Sequence, residues 1–399
     1  MTTAIDLALN AVTGRPWEPV TLARPLEVAE LPTPALVLDR PTMDINIKAM
    51  AEHLGSHGKG FRPHAKTHKC PAIAQVQMAA GAVGICTAKV SEAAVMLNAG
   101  IASVLVTSPV STRQKARVIN AIASSEAELL LVVDSVVGLD ALDAEIDATK
   151  SVGLVLDLDV VMGRTGLRED DVFLRLLDRV HEDSRFYFAG VQHYAGHIMH
   201  IPEFEKRREK SLRSWDRLSA KFDLLEQRGV RADIVTGGGT GTYDIDVGIE
   251  RLTDLQVGSY IFMDEEYRQV GGADSDRFKG FDLALTVACT AISQPQPSTI
   301  TVDGGYKAFA SDSVNPVCDG RPELQFRFAG DEHGVLLRSE SADSNPGDNQ
   351  GLGVMLGDVL EFAVPHCDPT VNLYDQYWVR EEDGMVHGYW PISARGCSW

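Results

Sequence analysis

The chain has 399 residues, 44% of them hydrophobic, which suffices for a sizeable core and about two domains. Its 37 Lys and Arg stand against 56 Asp and Glu, a formal net charge of −19, and this excludes nucleic acid or an anionic membrane surface as the natural partner, since both select a basic footprint. The cysteines (Cys70, Cys86, Cys289, Cys318, Cys367 and Cys397) are scattered without a CxxC pair, so disulfides are not expected and a reducing compartment is the default.

The opening stretch "MTTAIDLALNAVTGRPWEPVTLARP" has no basic start followed by an apolar core, so no secretory leader is expected. No apolar run reaches the roughly 18 residues that a membrane span needs. A cytoplasmic location is the resulting expectation. From "ALVLD" (35–39) onward, short apolar runs alternate with helical patterns. The runs continue with "GFRPH" (60–64), "VGICTA" (83–88), "SVLVTS" (103–108) and "LLLVVD" (129–134). "VGLVLDLD" (152–159), "FAGVQHY" (188–194), "ADIVTGG" (232–238) and "LQVGSY" (255–260) follow. Amphipathic stretches such as "SEAAVMLNAG" (91–100) and "DDVFLRLLDRVHE" (170–182) lie between them. Near-continuous apolar strands alternating with helices predict a parallel sheet with helices outside, and eight or nine such units suit a (β/α)8 barrel better than a doubly wound open sheet.

After residue 280 the texture changes. "FDLALTVACTAIS", "STITVDGGY", "LQFRFAGDEHGVLL" and "VMLGDVLEFAVP" are extended and separated by turn signals such as "QPQPS" and "SNPGDNQG", with no good helix. The predicted α/β architecture is therefore a barrel over 29–278 followed by a smaller, mostly antiparallel β domain over 279–399, with residues 1–28 packing on the latter.

Barrel enzymes place their chemistry at the carboxyl ends of strands, and several loaded stretches fall there. "FRPHAKTHKC" (61–70) sets Lys66 between His64 and His68, with Arg62 and Lys69 close by. A lysine with a lowered pKa forms Schiff bases with carbonyls, and such a cluster of cations would lower it; the plain alternative is a surface lysine in a basic loop. "TGGGTGT" (236–242) is a glycine-rich turn after a strand, whose main-chain N–H groups can cradle a phosphate, or which simply caps a helix. The two together point to one cofactor, pyridoxal phosphate. In "PHCDPTVNLYD" (365–375), strand spacing would set His366 and Asp368 on one face with Cys367 turned away, an imidazole and a carboxylate suited to a divalent metal, or else an ordinary strand end before Pro369.

"RPHAKTHKCP", "KVSEA", "GRTG", "TGGGTG", "LQVGSYIFMD", "DEHGV", "HCDPTVNL" and "ISARG" together resemble the D-threonine aldolase and D-serine dehydratase-like family of fold-type III pyridoxal-phosphate enzymes. The resemblance spans about residues 30–399. It implies an alanine-racemase-like barrel with a C-terminal β domain, Lys66 as the Schiff-base lysine, and Arg164 of "GRTG" as the arginine at the cofactor ring oxygen. By the same resemblance Tyr194, Gly238, Gly239, Thr240 and Tyr260 hold the cofactor and its phosphate, and His366 and Asp368 hold the metal. His200 matches the base of the aldolases, although "YAGHIMH" (194–200) offers His197 as well. Dehydratases of the group resemble H-x-C at the metal position, whereas this chain carries H-x-D as the aldolases do, and imidazole plus carboxylate favours manganese or magnesium. The implied activity is cleavage of a β-hydroxy-D-amino acid to glycine and an aldehyde by a homodimer. The alternatives are a dehydratase of D-serine or D-threo-3-hydroxyaspartate and a non-catalytic pyridoxal-phosphate carrier.

Overall fold

A computed structural model describes residues 4–159, 162–310, 314–338 and 352–399. In chain order, helix α1 (Ala4–Thr13) precedes strands β1 (Val20–Leu26) and β2 (Ala35–Asp39), and helix α2 (Arg40–Ser56) follows. Then come β3 (Gly60–Phe61), α3 (Pro71–Ala79), β4 (Ile85–Thr87), α4 (Val90–Asn98), β5 (Ser103–Val106) and α5 (Arg113–Ile122). They are followed by β6 (Glu128–Val133), α6 (Val136–Asp143), β7 (Val152–Asp157), α7 (Asp170–Glu182), β8 (Phe186–His193), α8 (Phe204–Asp216) and α9 (Ser219–Gln227). The repeat ends with β9 (Ile234–Gly237), α10 (Tyr243–Asp246) and β10 (Asp254–Leu255).

Strands β3 to β10 form one parallel sheet in the order β3-β10-β9-β8-β7-β6-β5-β4. Its two edges meet: Val83 N–H donates to Phe61 O, Cys86 N–H to Pro63 O and Ala65 N–H to Cys86 O, at 2.9, 2.8 and 2.7 Å. The eight-stranded barrel expected from the alternation is therefore present, closed between the short strands β3 and β4 and the residues that follow them. Its apolar interior includes Cys86, Leu105, Leu130, Val132, Val155 and Ala189, all buried. The helices carry the complementary pattern; α7 buries Phe173, Leu176, Leu177 and Val180, one stripe at helical spacing. Ser135 starts α6 by accepting Gly138 N–H at 3.2 Å, a side-chain cap for an otherwise unpaired donor.

The barrel also encloses a polar ladder that runs toward its carboxyl end. Arg62 pairs with Asp254 at 3.5 Å, and Thr236 Oγ1 donates to the same carboxylate at 2.6 Å. Gln256 donates to Gln192, and Gln192 to Asp157, at 2.9 and 3.0 Å. A Cβ at Gly84 would lie 2.2 Å from the Arg62 guanidinium, so this buried charge occupies space that only glycine leaves.

The second sheet is antiparallel apart from one parallel pairing, of β2 with β17. It contains β1, β2, β11 (Leu285–Gln296), β12 (Thr299–Val302), β13 (Val317–Cys318), β14 (Leu324–Phe328), β15 (Gly334–Arg338), β16 (Val359–Ala363), β17 (Gln376–Arg380) and β18 (Val386–Pro391). The long β11 pairs with β12 at one end and β16 at the other, so that β11-β12-β15-β14-β13-β16 close on themselves, while β2, β17, β18 and β1 extend the sheet. Short helices α11 (Glu265–Arg268) and α12 (Cys367–Val371) belong to the same unit.

Two compact units result: residues 1–17, 48–258 and 396–399, and residues 18–47 and 259–395. This partition differs from the expected 29–278 and 279–399 in three places. "ALVLD", read as the first barrel strand, is β2, paired with β11 and β17 in the antiparallel sheet. A strand buried on both faces by a sheet's interior has the same continuous apolar run as a barrel strand. The N-terminal stretch divides: α1 packs on α4 and α5 of the barrel, whereas β1 pairs with β18 through Val20–Tyr389 and Thr21–Gly388. The barrel segment that begins at residue 48 ends at Gly258 and not at 278, and residues 396–399 rejoin that unit. No helix among the described residues is long and apolar enough to cross a membrane.

Candidate active site

Lys66 lies in the turn that follows β3, half-buried between fully buried neighbours Ala65 and Thr67. The main chain pins this turn, since Ala65 N–H reaches Cys86 of β4 and His64 N–H reaches Val257 O after β10. The cations expected to crowd the lysine are each compensated. Arg62 pairs with Asp254, and Lys69, in a left-handed conformation at φ 52°, is bound to the buried Glu92. His64 Nδ1 accepts Lys66 N–H at 3.3 Å, so the other nitrogen bears the proton and donates to Thr107 Oγ1 at 3.1 Å. His68 Nδ1 accepts Cys70 N–H at 3.1 Å. Both imidazoles thus accept main-chain N–H groups and shape the turn.

The glycine-rich turn emerges from β9. Gly238 has φ 65°, and a Cβ there would meet Asp246 Oδ2 at 2.6 Å. At Gly241 a Cβ would sit 2.1 Å from Met199 O, and at Gly239 3.0 Å from Met199 Sδ. The turn is therefore packed directly on the loop that carries His197 and His200. Asp246 ties the turn to α8 by accepting hydrogen bonds from Ser211 Oγ and Thr242 Oγ1 at 2.6 and 2.5 Å. Burial lifts its pKa to about 6 despite those donors. Thr240 is buried, and its Oγ1 accepts Gly258 N–H at 3.3 Å.

Tyr194 directly follows β8, and the Arg164 guanidinium lies over its ring at 5.1 Å, so these two expected cofactor residues meet. The loop bearing Arg164 is held by Asp159, which accepts Met162 and Gly163 N–H, each at 2.8 Å; residues 160–161 of that loop lie outside the described residues. His197 is exposed and His200 half-buried.

Pyridoxal phosphate fits this end of the barrel by two observations. Thr67 Oγ1 and Thr87 Oγ1 are buried and meet no hydrogen-bond partner among the described residues, which suits a polar ligand atom. Thr67 Oγ1 would also lie 2.6 Å from a Cβ on Gly258, so the main chain comes close beside Lys66 because a side chain is missing.

The remaining expected residues belong to the β unit. Tyr260 is fully buried against the Phe281 ring at 5.6 Å. Contrary to the expectation from strand spacing, His366 and Asp368 do not share a strand face. Residues 367–371 form α12, with His366 its extended N-terminal neighbour and Asp368 in the first turn. Pro369, the third residue of α12, is compatible with a helix because its missing N–H falls in the first turn, where no intrahelical partner exists, and the strand reading overlooked this. His366 Nδ1 lies 2.8 Å from Asp264 Oδ2 and 3.4 Å from Glu266 Oε2. Burial opposes its charged form, yet the Asp264 hydrogen bond and the charges of Asp264, Asp368 and Glu266 prevail and lift its pKa to about 9. Cys367 is buried, and burial pushes its thiol well above the ordinary value. Imidazole and carboxylate remain as a donor set for a hard divalent cation. Asp264, which sequence reading passed over, is the residue that draws this cluster together.

Comparison with known proteins bears on the fold and the family. The family model of the alanine racemase N-terminal domain matches residues 38–266, and that of a serine dehydratase domain matches 284–380. The chain is 36% identical to a D-threonine aldolase from Arthrobacter sp over 93% of its own length and 94% of the relative's. It is 31% identical to a 3-hydroxy-D-aspartate aldolase of Paracoccus denitrificans at the same coverage. The solved structure of D-threonine aldolase from Filomicrobium marinum superposes with a TM-score of 0.88 at 32% identity, covering 95% of this chain and all of that one. The chain belongs to the D-threonine aldolase and D-serine dehydratase-like family, whose N-terminal domain is that of the alanine racemases.

Proposed function

We propose that this protein is a lyase that cleaves β-hydroxy-D-amino acids of the D-threonine type to glycine and an aldehyde, using pyridoxal phosphate and a divalent metal. The observation that carries the reading is Lys66, half-buried in a pinned turn at the carboxyl end of β3, beside a buried Thr67 hydroxyl and the glycine at 258. Relatives named as aldolases support the reaction class.

When bound, pyridoxal phosphate supplies the electron sink for the carbon bearing the amino group, and a divalent cation supplies electrophilic assistance at the β-hydroxyl. The chain's own residues do the rest. Lys66 Nζ is the attachment point. Gly238, Gly239 and Thr240 offer main chain and hydroxyl to the phosphate, Tyr194 and Arg164 flank the ring, and Tyr260 contributes to phosphate binding. His366 and Asp368 hold manganese or magnesium. His200, on the loop packed against the glycine turn, takes the β-hydroxyl proton. The bond between the α and β carbons then breaks, the aldehyde departs, and a proton returns to the α carbon to give glycine. A cytoplasmic homodimer completes the reading. It is tested by supplying purified protein with pyridoxal phosphate, manganese and D-threonine. Acetaldehyde and glycine in equal amounts are expected; no visible cofactor band and no aldehyde would overturn it.

A further inference from the structure

His366 has two ring nitrogens, and the structure commits one of them. Nδ1 faces Asp264 Oδ2 at 2.8 Å, and the Asp264 side chain is 0% exposed against 16% for His366. The same oxygen accepts Cys367 N–H at 2.9 Å. Its Oδ1 accepts Tyr267 N–H, also at 2.9 Å, as the cap of α11. The carboxylate is thus tied to the starts of two helices that lie about a hundred residues apart in the chain, and what it presents to the imidazole is a fixed acceptor. Glu266 Oε2, the next carboxylate oxygen at 3.4 Å, is too distant for a good hydrogen bond.

We infer that Asp264 is a positioning residue for the metal centre: it accepts the Nδ1–H of His366, leaves Nε2 as the ligand atom, and does not itself bind the ion. This rests on the reading of His366 and Asp368 as the metal pair. A histidine ligand whose other nitrogen donates to a carboxylate has its tautomer and ring orientation set and its basicity raised. The competing arrangement is an ion held among Asp264, His366 and Cys367, whose donor atoms lie within 4.8 Å of one another. That ion would have to compete with the Cys367 N–H and with the cap of α11 for the same two oxygens.

Titration of the pyridoxal-phosphate-loaded protein with Mn2+, following free ion by electron paramagnetic resonance, tests the inference. Asp264→Asn should weaken Mn2+ binding about 10–100-fold while the cofactor absorbance persists, and should cost nothing further when added to His366→Ala. Unchanged affinity in Asp264→Asn would overturn the positioning role and leave the metal pair standing. An equal additional loss on the His366→Ala background would make Asp264 a ligand and overturn it as well. Wild-type affinity in both His366→Ala and Asp368→Ala would remove the metal pair, and this inference with it. If Asp264→Asn does not fold, wild type carrying nitrogen-15 histidine and loaded with cadmium-113 decides: coupling at His366 Nε2 supports the inference, and coupling at Nδ1 overturns it.

Discussion

The chemistry around Lys66 is carried by single residues whose partners the structure names. Arg62, Lys69, His64 and His68 each have a hydrogen-bonding or ionic partner of their own, so the positive surroundings visible in "FRPHAKTHKC" serve to build the turn that presents the amine. That distinction was not legible in the sequence, because Asp254 and Glu92 lie 192 and 23 residues from the cations they neutralise. Lys66→Ala is expected to lose both the visible cofactor band and turnover, while circular dichroism stays unchanged. The two candidate bases separate by position: His200 is half-buried on the loop against the glycine turn and His197 is exposed. His200→Ala should lower kcat by about 10²–10⁴-fold, the usual worth of a general acid or base, with the cofactor band retained, and His197→Ala should leave kcat near wild type. Steady-state kinetics of the two variants checks the assignment.

Among elements, the glycine turn after β9 shows how closely packing and site are coupled. A methyl at Gly241 would meet the main-chain Met199 O at 2.1 Å, with no flexible side chain there to yield. Gly241→Ala should therefore cost about 1–3 kcal/mol of stability by overpacking and loosen cofactor retention on dialysis, read from unfolding curves and absorbance. Asp246, which anchors this turn, gives a pH signature. Burial raises its folded-state pKa to about 6 from 3.8 in the unfolded chain. The neutral acid is the form the fold favours, so this group's contribution is complete below the unfolded value and is lost as pH rises through the folded one. Asp246→Asn, neutral throughout, should gain stability relative to wild type between about pH 4 and pH 7, by up to about 3 kcal/mol, in denaturant unfolding at the two ends of that window. The glycine turn itself was legible, since a strand followed by "TGGGTGT" needs little else to be recognised. The helix α12 was not: residues 366–368 were read with strand periodicity because extended segments surround them, and the choice between the two periods is set by Asp264, which caps α11 and accepts the first N–H of α12.

For the whole molecule, the succession of eight parallel strands with helices outside follows from periodicity alone, and so does the change to antiparallel texture near residue 280. Where the chain crosses between units did not. Residues 18–47 leave the barrel order and complete the antiparallel sheet, with β2 lying between β11 and β17, and no local pattern separates such a strand from a barrel strand. The proposed metal donors belong to this second unit and the proposed attachment lysine to the first. Chelation is expected to abolish turnover while the visible band persists, and added Mn2+ should restore it; full turnover after chelation would remove the metal from the account. The central claim is carbon–carbon cleavage, and product analysis with D-threonine, pyridoxal phosphate and Mn2+ tests it most directly. The account predicts one glycine for each acetaldehyde, no reaction with L-threonine and no release of ammonia. Ammonia appearing with an oxo-acid in place of the aldehyde would contradict it.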